Sequence, residues 1–202
     1  YDNLELKDYT AGLEAAATFF ANPANPDYVY LDYIYFARLL EADKQYEEAV
    51  AQFDKALSMD QLHTEIYKEI SDVYEKERDF PKAIEAYKNY LDGMKNSPDI
   101  SDLFLYGRLN YYAATDSACQ DKQPVYLAEA DTVFAQVAAK VPDNYLGNFW
   151  RARVNSLRDP ETAQGLAKPY YEAALGILEQ KPDATKSVLV ECNSYLGYYY
   201  FV

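Results

Sequence analysis

The sequence predicts an all-α fold, a solenoid in which pairs of antiparallel helices repeat along the chain. The first observation is a period of 34 residues, since the segment from Tyr33 to Ala56 is echoed by the segment from Tyr67 to Tyr90. The second is an amphipathic pattern, with apolar residues three and four positions apart in both halves of each segment. The third is composition, because 7 glycines and 26% charged residues in a chain of 202 suit a mostly helical protein.

Two complete helix pairs are predicted in the regular part of the chain. The first has helices at about 29–42 and 46–59, and the second at about 64–77 and 80–95. Asp79 is expected to cap the last of these helices, with Pro81 in its first turn, where a missing N–H costs nothing. The positions that recur in register are Tyr33/Tyr67, Phe36/Ile70, Ala37/Ser71, Leu40/Tyr74, Tyr46/Phe80, Ala49/Ala83, Phe53/Tyr87 and Ala56/Tyr90.

This alternation of aromatic and small residues resembles the tetratricopeptide repeat (TPR), in which a helix A is followed by a helix B. The resemblance implies a right-handed α-solenoid of antiparallel helix pairs, with a concave inner face built from the A helices. It predicts one array over residues 1–202, cut from a longer one. Its units are a partial repeat 1–26, repeats 27–62, 63–97, 98–143 and 144–183, and a partial repeat 184–202 with helix A alone.

The later repeats depart from the regular spacing. The small positions Gly107 and Ala130 are 23 residues apart, against 12 for Ser71 and Ala83, and the intervening segment 113–126 is polar and contains Pro124. A long loop is therefore expected at 113–126 in the third repeat. The fourth repeat has a shorter insertion around Asp159, and Pro169 predicts that its helix B begins near Lys168 or kinks there.

Each end of the chain carries half of a repeat. The stretch from Asp8 to Phe20 resembles a helix B without its helix A, with residues 1–5 as the stub of that helix and a turn at 22–26. Leu196 and Gly197, followed by Tyr200, match the L-G-x-x-Y pattern of a helix A. The apolar residues from Tyr198 to Val202 are expected to allow self-association.

Small residues are expected where the two helices of a pair approach closely, because a bulky side chain would force them apart. These positions are Ala37, Ala49, Ser71, Ala83, Gly107, Ala130, Ala152, Ala167 and Gly197.

The resemblance also places a candidate partner-binding groove on the inner face of the A helices. Its predicted residues are Arg38, Phe104, Arg108, Tyr111, Phe149, Arg153 and Tyr198. The guanidinium groups could bind partner carboxylates, and the rings could take apolar side chains. Alternatively, the arginines pair internally with Asp72, Glu41 or Glu69. The Lys and Asn clamp with which some TPR proteins hold chaperone tails is missing, since its positions hold Ile34, Arg38, Glu69, Ser101 and Leu105.

The chemistry that a catalyst or cofactor site needs is scarce. His63 is the sole histidine, in a predicted turn, and no phosphate-binding or nucleophile motif is present, so we expect no enzyme activity, no metal and no cofactor. Cys119 and Cys192 lie two repeats apart and are expected to be free thiols, with Cys192 buried.

Charge and hydropathy narrow the range of partners. A net charge of −14 argues against nucleic acid and anionic lipid as partners. The sequence contains no run of 18 apolar residues, so insertion in a membrane is not expected. The compartment is left open, because the sequence does not begin with Met. The resemblance implies a scaffold that binds a protein or peptide. The alternative is a structural spacer or assembly arm that associates through its ends or convex face.

Overall fold

The structure is a computed structural model and describes residues 5–21, 27–60, 63–94, 96–181 and 185–201. It forms two compact units, Tyr1–Asn96 and Ser97–Val202. The described residues form α-helices joined by turns and one 3₁₀ helix. The predicted turn at 22–26, the residues 1–4 of the expected stub and the terminal Val202 lie outside the described residues. The division into repeats within each unit stays a prediction.

Among its described residues the first unit contains five helices, and the four in its two complete pairs lie within two residues of the predicted bounds. They are α1 (Tyr9–Phe20), α2 (Tyr30–Ala42), α3 (Tyr46–Met59), α4 (Glu65–Glu77) and α5 (Phe80–Gly93). The Asp79 carboxylate accepts a hydrogen bond from the backbone N–H of Lys82, and Pro81 lies in the first turn of α5, as predicted.

The two turns within these pairs share one backbone conformation. Lys44 lies between α2 and α3 with φ of +65°, and Arg78 lies between α4 and α5 with φ of +67°. These two residues are 34 positions apart, so the repeat period is visible in the backbone as well as in the side chains. A residue in the left-handed region ends the first helix of each pair and reverses the chain into the second.

Small residues lie where the paired helices meet. Ala37 on α2 and Ala49 on α3 are fully buried, and Phe53 fills the core beside them. In the next pair the hydroxyl of Ser71 donates a hydrogen bond of 2.8 Å to the carbonyl of Ala83, which satisfies a buried polar group across the helix interface. Of the nine predicted small positions, eight are buried and Gly197 is exposed.

The second unit contains α6 (Ile100–Thr115), a 3₁₀ helix (Ser117–Lys122), α7 (Gln123–Lys140), α8 (Leu146–Arg158), α9 (Lys168–Leu178) and α10 (Lys186–Phe201). The predicted loop at 113–126 is wrong, because α6 runs through Thr115 and α7 begins at Gln123. The polar composition is misleading here: Ala113, Ala114 and Cys119 are buried while their polar neighbours face solvent. Helix and 3₁₀ geometry satisfy the backbone while these small residues are buried.

The connection from α8 to α9 is organised by a buried carboxylate. Asp159 is the C-cap of α8, and its Oδ2 accepts hydrogen bonds from the backbone N–H groups of Gln164 at 3.0 Å and Leu166 at 3.3 Å. The predicted insertion around Asp159 is present, and α9 begins at Lys168 with Pro169 in its first turn.

Cys119 and Cys192 are both buried thiols, and burial was predicted for Cys192 alone. Burial raises the pKa of the Cys192 thiol to about 11, so this thiol stays protonated at neutral pH. His63 lies in the turn between α3 and α4, where its ring stacks on that of Tyr30 with centroids 4.2 Å apart.

Candidate partner-binding surface

The indole ring of Trp150 organises the predicted surface in the second unit. The rings of Phe104 and Tyr111, both on α6, meet it edge-on with centroids 5.8 Å and 5.2 Å away. From α7, Phe134 stacks on it at 5.4 Å. Edge-to-face and stacked pairs at these separations add to the free energy of burial. The structure thus brings two of the predicted residues, Phe104 and Tyr111, against one common ring.

Arg153 lies over this aromatic cluster and is held by a carboxylate of α10. Its Nε donates a hydrogen bond of 2.7 Å to Glu191 Oε1, and its Nη2 donates one of 2.6 Å to Oε2. Its guanidinium group lies 4.6 Å from the centroid of Phe149 and 5.1 Å from that of Trp150. The hydrogen bond to Glu191 is the main cause of the raised pKa of Arg153. A planar cation on rings with a bidentate partner is a rigid arrangement.

The hydroxyl of Tyr171 on α9 extends this network by donating a hydrogen bond of 3.2 Å to Glu191 Oε1. Burial is the main cause of the raised pKa of both Tyr171 and Tyr111. Both phenols therefore remain neutral at physiological pH and act as hydrogen-bonding groups.

The other predicted residues of the second unit differ in exposure. Phe149 is only 4% exposed and packs near Tyr171, so it supports Arg153 rather than offering surface to a partner. Arg108 is half-buried, with its guanidinium 5.2 Å from the centroid of Tyr112. Tyr198 on α10 is 49% exposed.

An apolar cavity of about 290 Å³ lies beside Phe104. The start of α6, the end of α7 and the start of α8 form its walls. Its lining residues are Ile100, Ser101, Phe104, Leu105, Val137, Val141, Asn144 and Leu146. Apolar walls with a few polar groups at the edge are typical of sites that take an apolar side chain or a small ligand.

In the first unit, the predicted Arg38 is paired with the carboxylate of Glu69. Its Nε donates a hydrogen bond of 2.7 Å and its Nη2 one of 2.8 Å, so the interaction joins α2 to α4. Lys76 on α4 pairs with Glu41 on α2 at 2.6 Å. The alternative in which the arginines pair internally therefore describes Arg38 and Arg153 in this structure, although the partner of Arg153 is Glu191.

Asp72, on α4, is the carboxylate with the most perturbed environment on this face. Its side chain is exposed at the surface, but the neighbouring protein removes part of the water around the carboxyl group. Glu75 and Glu41 add negative charge nearby. These effects raise its pKa to about 6, and Lys76 and Lys68 oppose them.

Two residues that matter for this surface were missed from the sequence, Trp150 and Glu191. Trp150 directly follows the predicted Phe149 and is the single tryptophan of the chain, which is a usable signal. Glu69, the partner of Arg38, lies two residues before the small position of α4. The residue of α10 that lies two residues before its own small position is Tyr195. Glu191 lies one turn earlier than Tyr195, so no repeat spacing indicates it.

Metal-binding and membrane-spanning features are absent from the part of the chain that the structure describes. Its residues contain no group of three or more His, Cys, Asp or Glu side chains that could hold a metal ion. None of the described helices is both long and apolar enough to cross a membrane.

Solved structures resemble this fold. The C-terminal part of a TPR repeat-containing protein from Cytophaga hutchinsonii is 28% identical, with a TM-score of 0.79 over 98% of this chain and 72% of that one. A thermophilic TPR protein from Thermus thermophilus is 17% identical, with a TM-score of 0.51 over 84% of each chain. BtubC from P. vanneervenii is 15% identical, with a TM-score of 0.53 over 98% of this chain and 85% of that one. No family model and no curated protein matches the sequence.

These similarities and the helix pairs define the class of the protein as an α-solenoid built from helical repeats. Within that class it is a TPR-like protein, so the resemblance noted in the sequence and the predicted fold class are confirmed.

Proposed function

We propose that this protein is an interaction scaffold and that its second unit binds a segment of a partner protein. The observation that carries the proposal is the apolar cavity beside Phe104. Phe104 lies on the same helix as Arg108 and Tyr111. An apolar anchor side chain in a cavity, with charged and aromatic groups around it, is the usual composition of a binding hot spot. Catalysis is not part of the proposal.

The partner segment is inferred from the chemistry of the surface. A cavity of about 290 Å³ holds one large apolar side chain, such as Leu, Met or Phe. Arg108 and Arg153 favour a carboxylate nearby, although a carboxylate at Arg153 competes with Glu191. The segment is therefore an apolar anchor next to an acidic or neutral residue, and nucleic acid is disfavoured by the net charge of −14.

Affinity capture with matched baits tests this proposal. Ile100→Glu places a carboxylate in the wall of the cavity, and Arg108→Glu reverses the charge of a residue one turn after Phe104 on the same helix. Val125→Glu, on the exposed part of α7 and outside the lining, is the control for the first variant. Quantitative mass spectrometry is expected to show a protein that wild type and Val125→Glu retain and that Ile100→Glu loses by tenfold or more, about 1.4 kcal/mol. If every captured protein is retained by Ile100→Glu at the wild-type level, the cavity is not the binding site.

A second candidate function, that of an assembly arm, is favoured by the exposed apolar residues of α10. Val190, Tyr198, Tyr200 and Phe201 are all exposed on this one helix, and Phe201 is 88% exposed. Apolar side chains exposed on one helix provide surface for contact with another protein. We infer that α10 mediates association, including self-association.

A further inference from the structure

The second unit holds an arginine side chain where α7, α8 and α9 meet. Arg151 on α8 donates hydrogen bonds from its Nε and Nη2 to the two carboxylate oxygens of Asp131 on α7, at 3.0 Å and 3.4 Å. Its Nη2 also donates a hydrogen bond of 3.0 Å to the hydroxyl of Tyr170 on α9, and its guanidinium group lies 4.2 Å from the centroid of that ring. Asn155 donates a further hydrogen bond of 3.1 Å to Asp131. A carboxylate and a ring thus hold the guanidinium group between three helices.

A groove of about 200 Å³ lies at the corresponding place in the first unit, between α3, α4 and α5. Counted from the small position of each helix, the four residues of the arginine network have equivalents that all line this groove. These are Val50 for Asp131, Ile70 for Arg151, Tyr74 for Asn155 and Ala86 for Tyr170. The valine, the isoleucine and the alanine are buried and smaller than the residues that they replace. The place that the guanidinium group fills in the second unit is therefore open in the first.

The charged groups at the edge of this groove suit a cation. Asp54 on α3 and Glu85 on α5 belong to its lining, and neither has a hydrogen bond or an ion pair within the described part of the chain. Partial burial raises the pKa of Asp54, as expected of a carboxylate that loses water without gaining a positive neighbour. Lys82 is the basic residue of the lining, and its ammonium group pairs at 2.8 Å with Asp79, which lies outside the lining. The groove therefore keeps a net negative charge.

Two tyrosine rings of α4 form the aromatic part of the groove. Tyr67 and Tyr74 both belong to its lining, and both are half-buried. The ammonium group of Lys82 lies 5.1 Å from the centroid of Tyr74, so that ring already faces a cation of the same chain. Tyr67 and the two carboxylates are the groups that remain for a cation from another molecule, and a ring face beside carboxylates attracts a guanidinium group.

We propose that the groove between α3, α4 and α5 binds an arginine side chain of a partner protein, in the place that Arg151 takes in the second unit. Asp54 and Glu85 accept hydrogen bonds from the guanidinium group, and Tyr67 offers it a ring face. Arginine suits the groove better than lysine, because its planar group stacks on a ring while it donates to carboxylates. A chain of net charge −14 also attracts a basic segment over a distance. This site is separate from the cavity beside Phe104 and does not rest on it.

Amide NMR spectra of the isotope-labelled 202-residue chain, titrated with the peptide acetyl-Gly-Arg-Gly-amide, test the proposal. We expect saturable shifts centred on the lining of the groove, with a Kd of roughly 1–10 mM for a contact of one side chain. The same peptide with citrulline, a neutral isostere of arginine, is expected to bind about tenfold more weakly. The peptide with lysine is expected to bind about threefold more weakly, because its ammonium group lacks the planar fork.

Variants of the lining locate the site. Asp54→Asn and Glu85→Gln are each expected to weaken binding of the arginine peptide about threefold, since each removes one charge at a partly exposed site. Glu48→Gln, an exposed residue of α3 outside the lining, is the control and should bind as wild type does. Lys82→Gln should bind about twofold more tightly, because a positive charge beside the site is removed. The spectra themselves verify that each variant is folded.

Several results would contradict the proposal. These are the lack of saturable shifts, shifts spread over the acidic surface, binding of the citrulline or lysine peptide as tight as that of the arginine peptide, or a loss in Glu48→Gln equal to that in Asp54→Asn. The cavity variant Ile100→Glu lies in the second unit and should bind the arginine peptide as wild type does. The peptide titration and the affinity capture therefore succeed or fail separately.

Discussion

Arg153 and Glu191 form a bidentate ion pair that joins α8 to α10, with hydrogen bonds of 2.7 Å and 2.6 Å. The side chains are 32% and 33% exposed, so the pair is partly screened by solvent. This ion pair and the hydrogen bond from Tyr171 hold α10 against α8 and α9.

A double-mutant cycle of Arg153→Gln and Glu191→Gln is expected to give a coupling free energy of about 1 kcal/mol. Urea unfolding provides the measurement, and the coupling should fall in about 1 M salt, since the pair is accessible to counterions. The exposed pair Lys82–Asp79 is the control and should show a smaller coupling. Equal couplings for the two pairs would contradict the role given to the bidentate geometry.

Substitution of Gly147 by alanine is expected to destabilise the second unit by about 1–3 kcal/mol, because overpacking forces a backbone shift. The added Cβ would lie 2.5 Å from the backbone nitrogen of Ala138 and 2.7 Å from its Cα. The control is Gly176→Ala on α9, where nothing lies within 4 Å and alanine should be neutral or stabilising by up to about 1 kcal/mol. Thermal unfolding that is the same for both variants would show that α7 and α8 are not in close contact here.

Asp72→Asn is expected to stabilise the first unit at neutral pH and to have no effect in acid. The folded pKa of Asp72, about 6, lies above the unfolded value of about 3.9, so the folded state binds the proton more tightly. Its destabilising contribution is absent below the unfolded pKa and complete above the folded pKa. The gain at about pH 8 should be below about 1 kcal/mol, because the carboxyl keeps solvent contact.

Thermal melts of the Asp72 variant and of wild type between about pH 4 and about pH 8 make this measurement. Asp92→Asn, an exposed residue of α5, serves as the control. A difference between Asp72→Asn and wild type that does not change with pH would contradict the assignment.

Asp159→Ala is expected to cost about 1–3 kcal/mol, because it leaves the N–H groups of Gln164 and Leu166 without their acceptor in a partly buried loop. Asp159→Asn keeps a carbonyl oxygen in the same place and should lose less. Urea unfolding of both variants measures the difference. If Asn and Ala are equally destabilising, the charge of Asp159 rather than its acceptor geometry stabilises the loop.

The regular part of the fold could be predicted because its determinants are local and recur. The 34-residue period, the Asp79 cap and the apolar spacing place the helices of α2 to α5 within two residues of their bounds. The segment 113–126 could not be predicted in the same way. Gln123 of the following helix donates a hydrogen bond to the carbonyl of Ala114, and Leu127 packs in the same core cluster as Ala114. Polar composition does not indicate these contacts.

The candidate binding surface, like the fold, could be predicted from the sequence only in part. The position of Arg153 beside the small residue Ala152 follows from the repeat, and its place on an inner face stays a prediction from the resemblance. Its partner Glu191 does not, because the three-residue insertion near Asp159 and the approach of α10 decide which carboxylate lies opposite. Likewise, only packing shows that Phe149 is buried and that Trp150 is the ring on which the surface is built.

The sequence by itself therefore determined the class of fold, the helix pairs and the small residues at their interfaces, since period and side-chain size are properties of the chain alone. Tertiary structure decided which arginines are already paired, where the cavity beside Phe104 lies and which small position is left open at Gly197. These features depend on the distances between helices that are remote in sequence, and those distances are set by how all the side chains of a unit pack together.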